Sequence, residues 1–140
     1  LGYVSPEDEV AILSDQADSH PVDELRPCVN IQDIVRLREA VKAIRISDEI
    51  KRYIVDLVGV TRSMPGVQLG ASPRASLTLM KVAQAIALFE GRAFITPDDV
   101  QSIAGPVIAH RLLLDPQSRF SGLTATSIVD DALKKVPVPA

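Results

Sequence analysis

Residues 69–90 read Leu-Gly-Ala-Ser-Pro-Arg-Ala-Ser-Leu-Thr-Leu-Met-Lys-Val-Ala-Gln-Ala-Ile-Ala-Leu-Phe-Glu, and this stretch decides the fold class. From Pro73 to Glu90, Leu77, Leu79, Met80, Val82, Ala83 and the run Ala85 to Phe89 leave little room for a solvated face. A helix that is apolar nearly all round is a central, buried one. Ser72-Pro73 marks its start, because a hydroxyl residue caps free N–H groups and proline is tolerated in the first helical position. Gly91 is its natural stop, since glycine enters the left-handed conformation that ends a helix without a Cβ clash.

Outward from this centre, the other segments are helical as well. Ser5-Pro6-Glu7-Asp8 combines a cap, a first-turn proline and acids, and predicts a helix with Val10, Leu13 and Ala17 facing inward. Residues 18–30 hold two prolines and no periodicity, so they read as loop. Asn30 caps a helix from Ile31 to about Ile44, with Ile34, Leu37, Val41 and Ile44 at helical spacing. Ser47-Asp48-Glu49 opens a third, through about Arg62, on Ile50, Ile54, Leu57 and Val58. Ser63-Met64-Pro65-Gly66 breaks it.

Beyond the central helix, Thr96-Pro97-Asp98-Asp99 repeats the start signal, and Pro106 is expected to kink or divide the helix it opens. His110-Arg111 closes that helix, residues 115–122 read as turn, and Thr124 to Lys135 forms a last amphipathic helix. The tail Val136-Pro137-Val138-Pro139-Ala140 cannot continue it. Ile44-Arg45-Ile46 and Ala93-Phe94-Ile95 are short extended pieces. The fold class is therefore all-α, a bundle of about five to six helices in a single domain over residues 1–140.

Composition bounds the function. The 140 residues are 46% hydrophobic and 24% charged, which fits a soluble globular domain rather than a disordered chain. No apolar run approaches the roughly 18 residues of a membrane span. Net charge is −3, so wholesale nucleic-acid binding is not expected. That total conceals segregation: residues 1–33 carry eight acids and one base (−7), residues 34–92 ten bases and five acids (+5), and residues 93–140 four bases and five acids (−1). Cys28, expected to be a small packed residue, cannot form an internal disulfide, and with His20 and His110 it is too sparse for a zinc site.

Catalytic motifs are missing. The sequence contains no G-x-x-x-x-G-K-[ST], no G-x-G-x-x-G and no H-E-x-x-H. The acidic pairs sit where first-turn acids or solvated faces are expected. Catalysis by these residues alone is not expected, and no metal site is assigned. With Leu1 in place of an initiator Met, the chain reads as cut from something longer.

One position breaks a local rule. Ser5-Pro6 and Thr96-Pro97 continue into two acids, as the positive end of the helix dipole favours, but Ser72-Pro73 continues into Arg74. An arginine placed against the dipole makes sense if an anion binds there, shared by the guanidinium and backbone N–H groups. The glycines at 66 and 70 permit close backbone approach. Thr78 and Lys81 prolong a polar stripe from Arg74, and an ordinary exposed helix edge accounts for that stripe too.

Val60-Thr61-Arg62 followed by Leu69-Gly70-Ala71-Ser72-Pro73-Arg74-Ala75 resembles the C-terminal helical lid of the MoxR family of AAA+ ATPases. Weaker matches run along the chain in order: Gly2-Tyr3 with the following helix through Ile12-Leu13, Tyr53-Ile54-Val55, Ala85 to Gly91-Arg92, Ile95-Thr96-Pro97-Asp98-Asp99-Val100, His110-Arg111-Leu112 and Val136-Pro137. Val4 departs from a commoner Gly-Tyr-Pro. The resemblance implies a lid without its N-terminal phosphate-loop α/β core, residues 1–33 being the candidate connection to it. It assigns Arg74 the sensor-2 contact with the γ-phosphate of ATP, as catalytic and cofactor-binding residue, with Ser72 and Arg62 beside it. For Arg62, a cation favoured at a helix C-terminus is an equally good account.

The implied parent is a cytoplasmic ATPase using ATP and magnesium in a ring, a hexamer, to remodel or activate clients in a chaperone-like way. Its implied partners are its own core, neighbouring subunits and a client or von Willebrand factor A domain protein. The alternative is a free-standing helical module whose basic middle docks an acidic protein or a nucleic acid.

Overall fold

Capping chemistry sets most of the helix starts. The computed structural model describes residues 2–17 and 20–139, with α1 (Pro6–Asp15), α2 (Ile31–Ala43), α3 (Asp48–Val60), α4 (Pro73–Phe89), α5 (Pro97–Ile108), α6 (Pro116–Phe120) and α7 (Ala125–Lys135). Ser5 and Ser47 accept from the backbone N–H three residues on, and Asn30 and Asp33 exchange reciprocal bonds at the start of α2. Of the loop expected over residues 18–30, Asp18 and Ser19 lie outside the described residues, and Pro21–Glu24 forms one 3-10 turn. Leu1 and Ala140 also lie outside them.

The chain divides into two compact units, residues 1–35 and 36–140, with the boundary inside α2. In the first unit no described residue is buried. Val10 and Leu13 are 62% and 69% exposed and Ala17 is exposed, which corrects the inward stripe expected of α1. Cys28 is exposed rather than packed. Amphipathic periodicity identified the helices, but periodicity alone does not supply a partner surface.

The core belongs to the second unit. α4 buries Ala75, Leu79, Ala83 and Ala87 completely, a row of every fourth residue in which three alanines let α3 and α5 approach closely and Leu79 fills the space between them. α3 contributes Ile50, Tyr53, Ile54, Leu57 and Val58, α5 Val100, Ala104 and Ile108, and α7 Ile128, Val129 and Ala132. α4 is central but not covered all round: Leu77 is 56% exposed and Phe89 is 79% exposed.

Several details differ from the sequence reading. α5 runs through Pro106 undivided and passes into a 3-10 turn at Ala109–Arg111. Proline close to the end of a helix removes one bond without stopping the last turn. The 115–122 segment holds the short helix α6, capped by Asp115. Two strands, β1 (Val67–Leu69) and β2 (Leu113–Leu114), pair antiparallel with Val67 opposite Leu114. The two expected extended pieces meet in a single parallel bridge between Arg45 and Phe94.

A charged latch joins α4 to α5. Gly91, at φ +71°, turns the chain out of α4, and Arg92 then reaches the carboxylate of Asp99 with Nη1 at 2.8 Å and Nη2 at 2.5 Å. Asp99, 5% exposed, also accepts from the Thr96 N–H at 2.7 Å and its hydroxyl at 3.0 Å. Burial pushes the Asp99 carboxyl upward, but the bonds from Arg92 and Thr96 outweigh it and hold the group below its ordinary value.

Candidate functional site

The segment that singled itself out in the sequence lies where α3 delivers the chain to α4. Ser63, Met64 and Pro65 end the helical path, Gly66 takes φ +79°, and β1 carries the chain back towards the end of α3. Ser72 then occupies the N-cap of α4 with φ −84° and ψ 167°, and Pro73 fixes the first helical position.

Ser72, Pro73 and Arg74 are all exposed. The Ser72 hydroxyl makes no capping hydrogen bond and the first turn contains no acid, unlike the first turns of α1 and α5. Among the described residues no carboxylate pairs with Arg74. The result is a positive helix end bearing a mobile-stemmed guanidinium, an arrangement suited to an anion approaching from outside. Thr78 turns back on the Arg74 carbonyl at 2.9 Å, so the stripe from Arg74 through Thr78 to Lys81 is the outer edge of α4.

Arg62 is placed differently. Its Nε donates to the Ala71 carbonyl at 3.0 Å, and it borders a cleft of about 460 Å³ between α3 and α4 with Ile54, Val55, Pro73, Leu77 and Met80. The structure thus sets Ser72, Arg74 and Arg62 around one helix start, with Arg62 facing the loop that presents the other two. Thr61, quoted above only as part of a motif, is fully buried and bonds the N–H of Ala71 at 3.1 Å. The single signal for it in the sequence is a hydroxyl at a helix end, which is too common to stand out.

The remaining candidates are local. His110 Nδ1–H donates to the Pro106 carbonyl at 2.9 Å and Arg111 Nε to the Val107 carbonyl at 3.0 Å, which satisfies the end of α5 as expected. Among the described residues no group of three or more His, Cys, Asp or Glu can hold a metal ion, and no helix is long and apolar enough to cross a membrane.

Known proteins place these features in a family. A family model described as an AAA lid domain matches residues 60–132, from the end of α3 through most of α7. Protein YeaC of Bacillus subtilis (strain 168) is 43% identical over 139 residues, 99% of this chain and 43% of its own length. Chaperone MoxR1 of Mycobacterium tuberculosis is 28% identical over 148 residues, 99% of this chain and 39% of its own. The chain thus spans less than half the length of these relatives. A crystal structure of a candidate ATPase from Cytophaga hutchinsonii superposes with a TM-score of 0.84 at 24% identity over 100% of this chain and 45% of that one, a likeness of fold. The chain belongs to the AAA lid domain family, as a lid of the MoxR type.

Proposed function

We propose that this chain is the nucleotide-responsive lid of a ring-forming AAA+ ATPase, and that Arg74 is the residue that meets the terminal phosphate of ATP. The observation that carries the reading is the start of α4, where an exposed arginine with no carboxylate partner among the described residues stands at an acid-free helix N-terminus. That end fits a phosphate group: the guanidinium offers a fork of donors and the helix end adds positive potential. Bound ATP supplies the phosphoanhydride that is broken, and an arginine at its terminal phosphate stabilises charge as that bond opens. Ser72 lies near Arg74 with its hydroxyl making no capping hydrogen bond, and Arg62 adds a second cation two residues after α3 ends.

The supporting core, with magnesium and most phosphate contacts, belongs to the rest of such an ATPase. The apolar side chains left uncovered on α1 and α2 suit a surface that meets that core or a neighbouring subunit, and the −7 charge of residues 1–33 suits a basic partner face. In this reading the parent works in the cytoplasm as a hexameric, chaperone-like remodeller of client proteins, with a von Willebrand factor A domain protein as partner.

The test is steady-state ATP hydrolysis by the full-length ATPase carrying this lid. Arg74→Ala is expected to lower kcat by roughly a hundredfold or more, in the range arginine supplies to phosphoryl transfer, with an unchanged melting temperature. Arg74→Lys, which keeps the charge but not the fork, is expected to recover only part of the loss. Turnover within twofold of wild type for Arg74→Ala would end this assignment and favour a helical binding module instead.

A further inference from the structure

We propose that Thr61 is a positioning residue for Arg74: with Arg62 it grips both polar groups of Ala71, so that the end of α3, not α4 itself, aims the arginine. The inference rests on the reading of Arg74 given above and extends it to how that residue is held.

Thr61 follows the last residue of α3 and is fully buried. Its hydroxyl donates to the Val58 carbonyl at 2.6 Å and accepts from the Ala71 N–H at 3.1 Å. Next in the chain, Arg62 Nε donates to the Ala71 carbonyl at 3.0 Å. Two consecutive residues thus satisfy the N–H and the C=O of a single residue ten and nine positions away, itself only 1% exposed. A lone buried hydroxyl commonly satisfies a stray N–H. A grip on both groups also fixes the rotation of the segment between β1 and α4 that it holds.

Gly70 shows how close the two segments run. A Cβ there would stand 2.6 Å from the Arg62 Cα and 2.7 Å from its backbone nitrogen, so no other residue fits without moving the grip. Between Ala71 and Arg74 lie only Ser72, held extended, and Pro73, whose ring fixes φ. Few soft torsions therefore separate the gripped residue from the arginine. A tilt at the end of α3 is carried to Arg74, and loss of the grip frees it.

The experiment is a double-mutant cycle on ATP turnover by the full-length ATPase, with melting temperature and far-UV circular dichroism checking the fold. Thr61→Val keeps the shape and removes the hydroxyl. It is expected to lower kcat roughly ten- to a hundredfold with KM within about threefold, the scale expected when a reacting group is misplaced by about an ångström. Thr61→Ser is expected to restore turnover to within about twofold of wild type. In an Arg74→Ala background Thr61→Val is expected to cost nothing further, because a residue acting through Arg74 has nothing left to position. Gly70→Ala attacks the grip from the other side and carries the same cycle if Thr61→Val does not fold.

Wild-type turnover in folded Thr61→Val, failure of Thr61→Ser to rescue, or losses that multiply with Arg74→Ala would each overturn the proposal. If Arg74→Ala alone leaves turnover intact, the phosphate reading fails first and the positioning role falls with it. If Arg74→Ala abolishes turnover while the folded Thr61 and Gly70 variants are fully active, only the positioning role fails.

Discussion

Asp99 and Arg74 are opposite uses of charge at the start of a helix. Asp99 stands in the first turn of α5 with the dipole in its favour, takes two bonds from Arg92 and closes a capping box with Thr96. Arg74 stands in the first turn of α4 against the dipole and among the described residues has no ionic partner. The first arrangement is complete within the lid, and the second, in the proposed reading, would be completed by an anion.

Asp99 therefore governs stability. Asp99→Asn, which leaves Arg92 with Glu90 alone, is expected to cost about 3 kcal/mol, towards the low end for removing one partner of a buried pair because Arg92 keeps some solvent contact. The shift in denaturation midpoint measures it. Because the folded Asp99 carboxyl titrates below its ordinary value of 3.8, its contribution is full above that pH and is lost as pH falls through the lower folded value. Wild type is expected to lose stability below about pH 4, and Asp99→Asn to lose less of it. A variant with the same acid limb as wild type would show that the latch does not bear on stability.

At the level of elements, α1 and α4 both announce themselves as helices with apolar side chains in sequence and differ in what covers them. Ser5-Pro6 and Ser72-Pro73 announce both starts from the sequence, because caps are local chemistry. Whether a stripe is covered depends on residues far away in the chain, so Val10 and Leu13 gave no warning that they would remain exposed. For the same reason the β1–β2 pairing was not legible: two or three residues each, more than forty positions apart, carry no alternation long enough to read. Arg74 was legible because it violates a local rule. Thr61 was not, because its role depends on a contact with Ala71 that only the folded loop creates.

Native-state hydrogen exchange on the 140-residue chain checks this contrast. The amides of α1, with no buried side chain in the helix, are expected to exchange close to unprotected rates, while those around Leu79 and Ala83 in α4 exchange only with global unfolding. Protection of α1 equal to that of α4 would contradict the burial pattern.

Across the whole molecule, a complete core is joined to the helix start proposed above as one half of an anion site. Residues 44–136 supply every member of the buried cluster, so the lid holds its own shape. The Thr61–Arg62 grip then carries that rigidity to the start of α4, where Arg74 projects outward. In a ring ATPase such a body would move as one piece, and a phosphate contact at Arg74 would convert the presence of the terminal phosphate into lid position. The measurement that tests this most directly is a structure of the full-length ATPase bound to a non-hydrolysable ATP analogue and magnesium. The account predicts a guanidinium nitrogen of Arg74 within about 3 Å of an oxygen of the terminal phosphate. An Arg74 turned to solvent, with that phosphate fully coordinated by other residues, would contradict it.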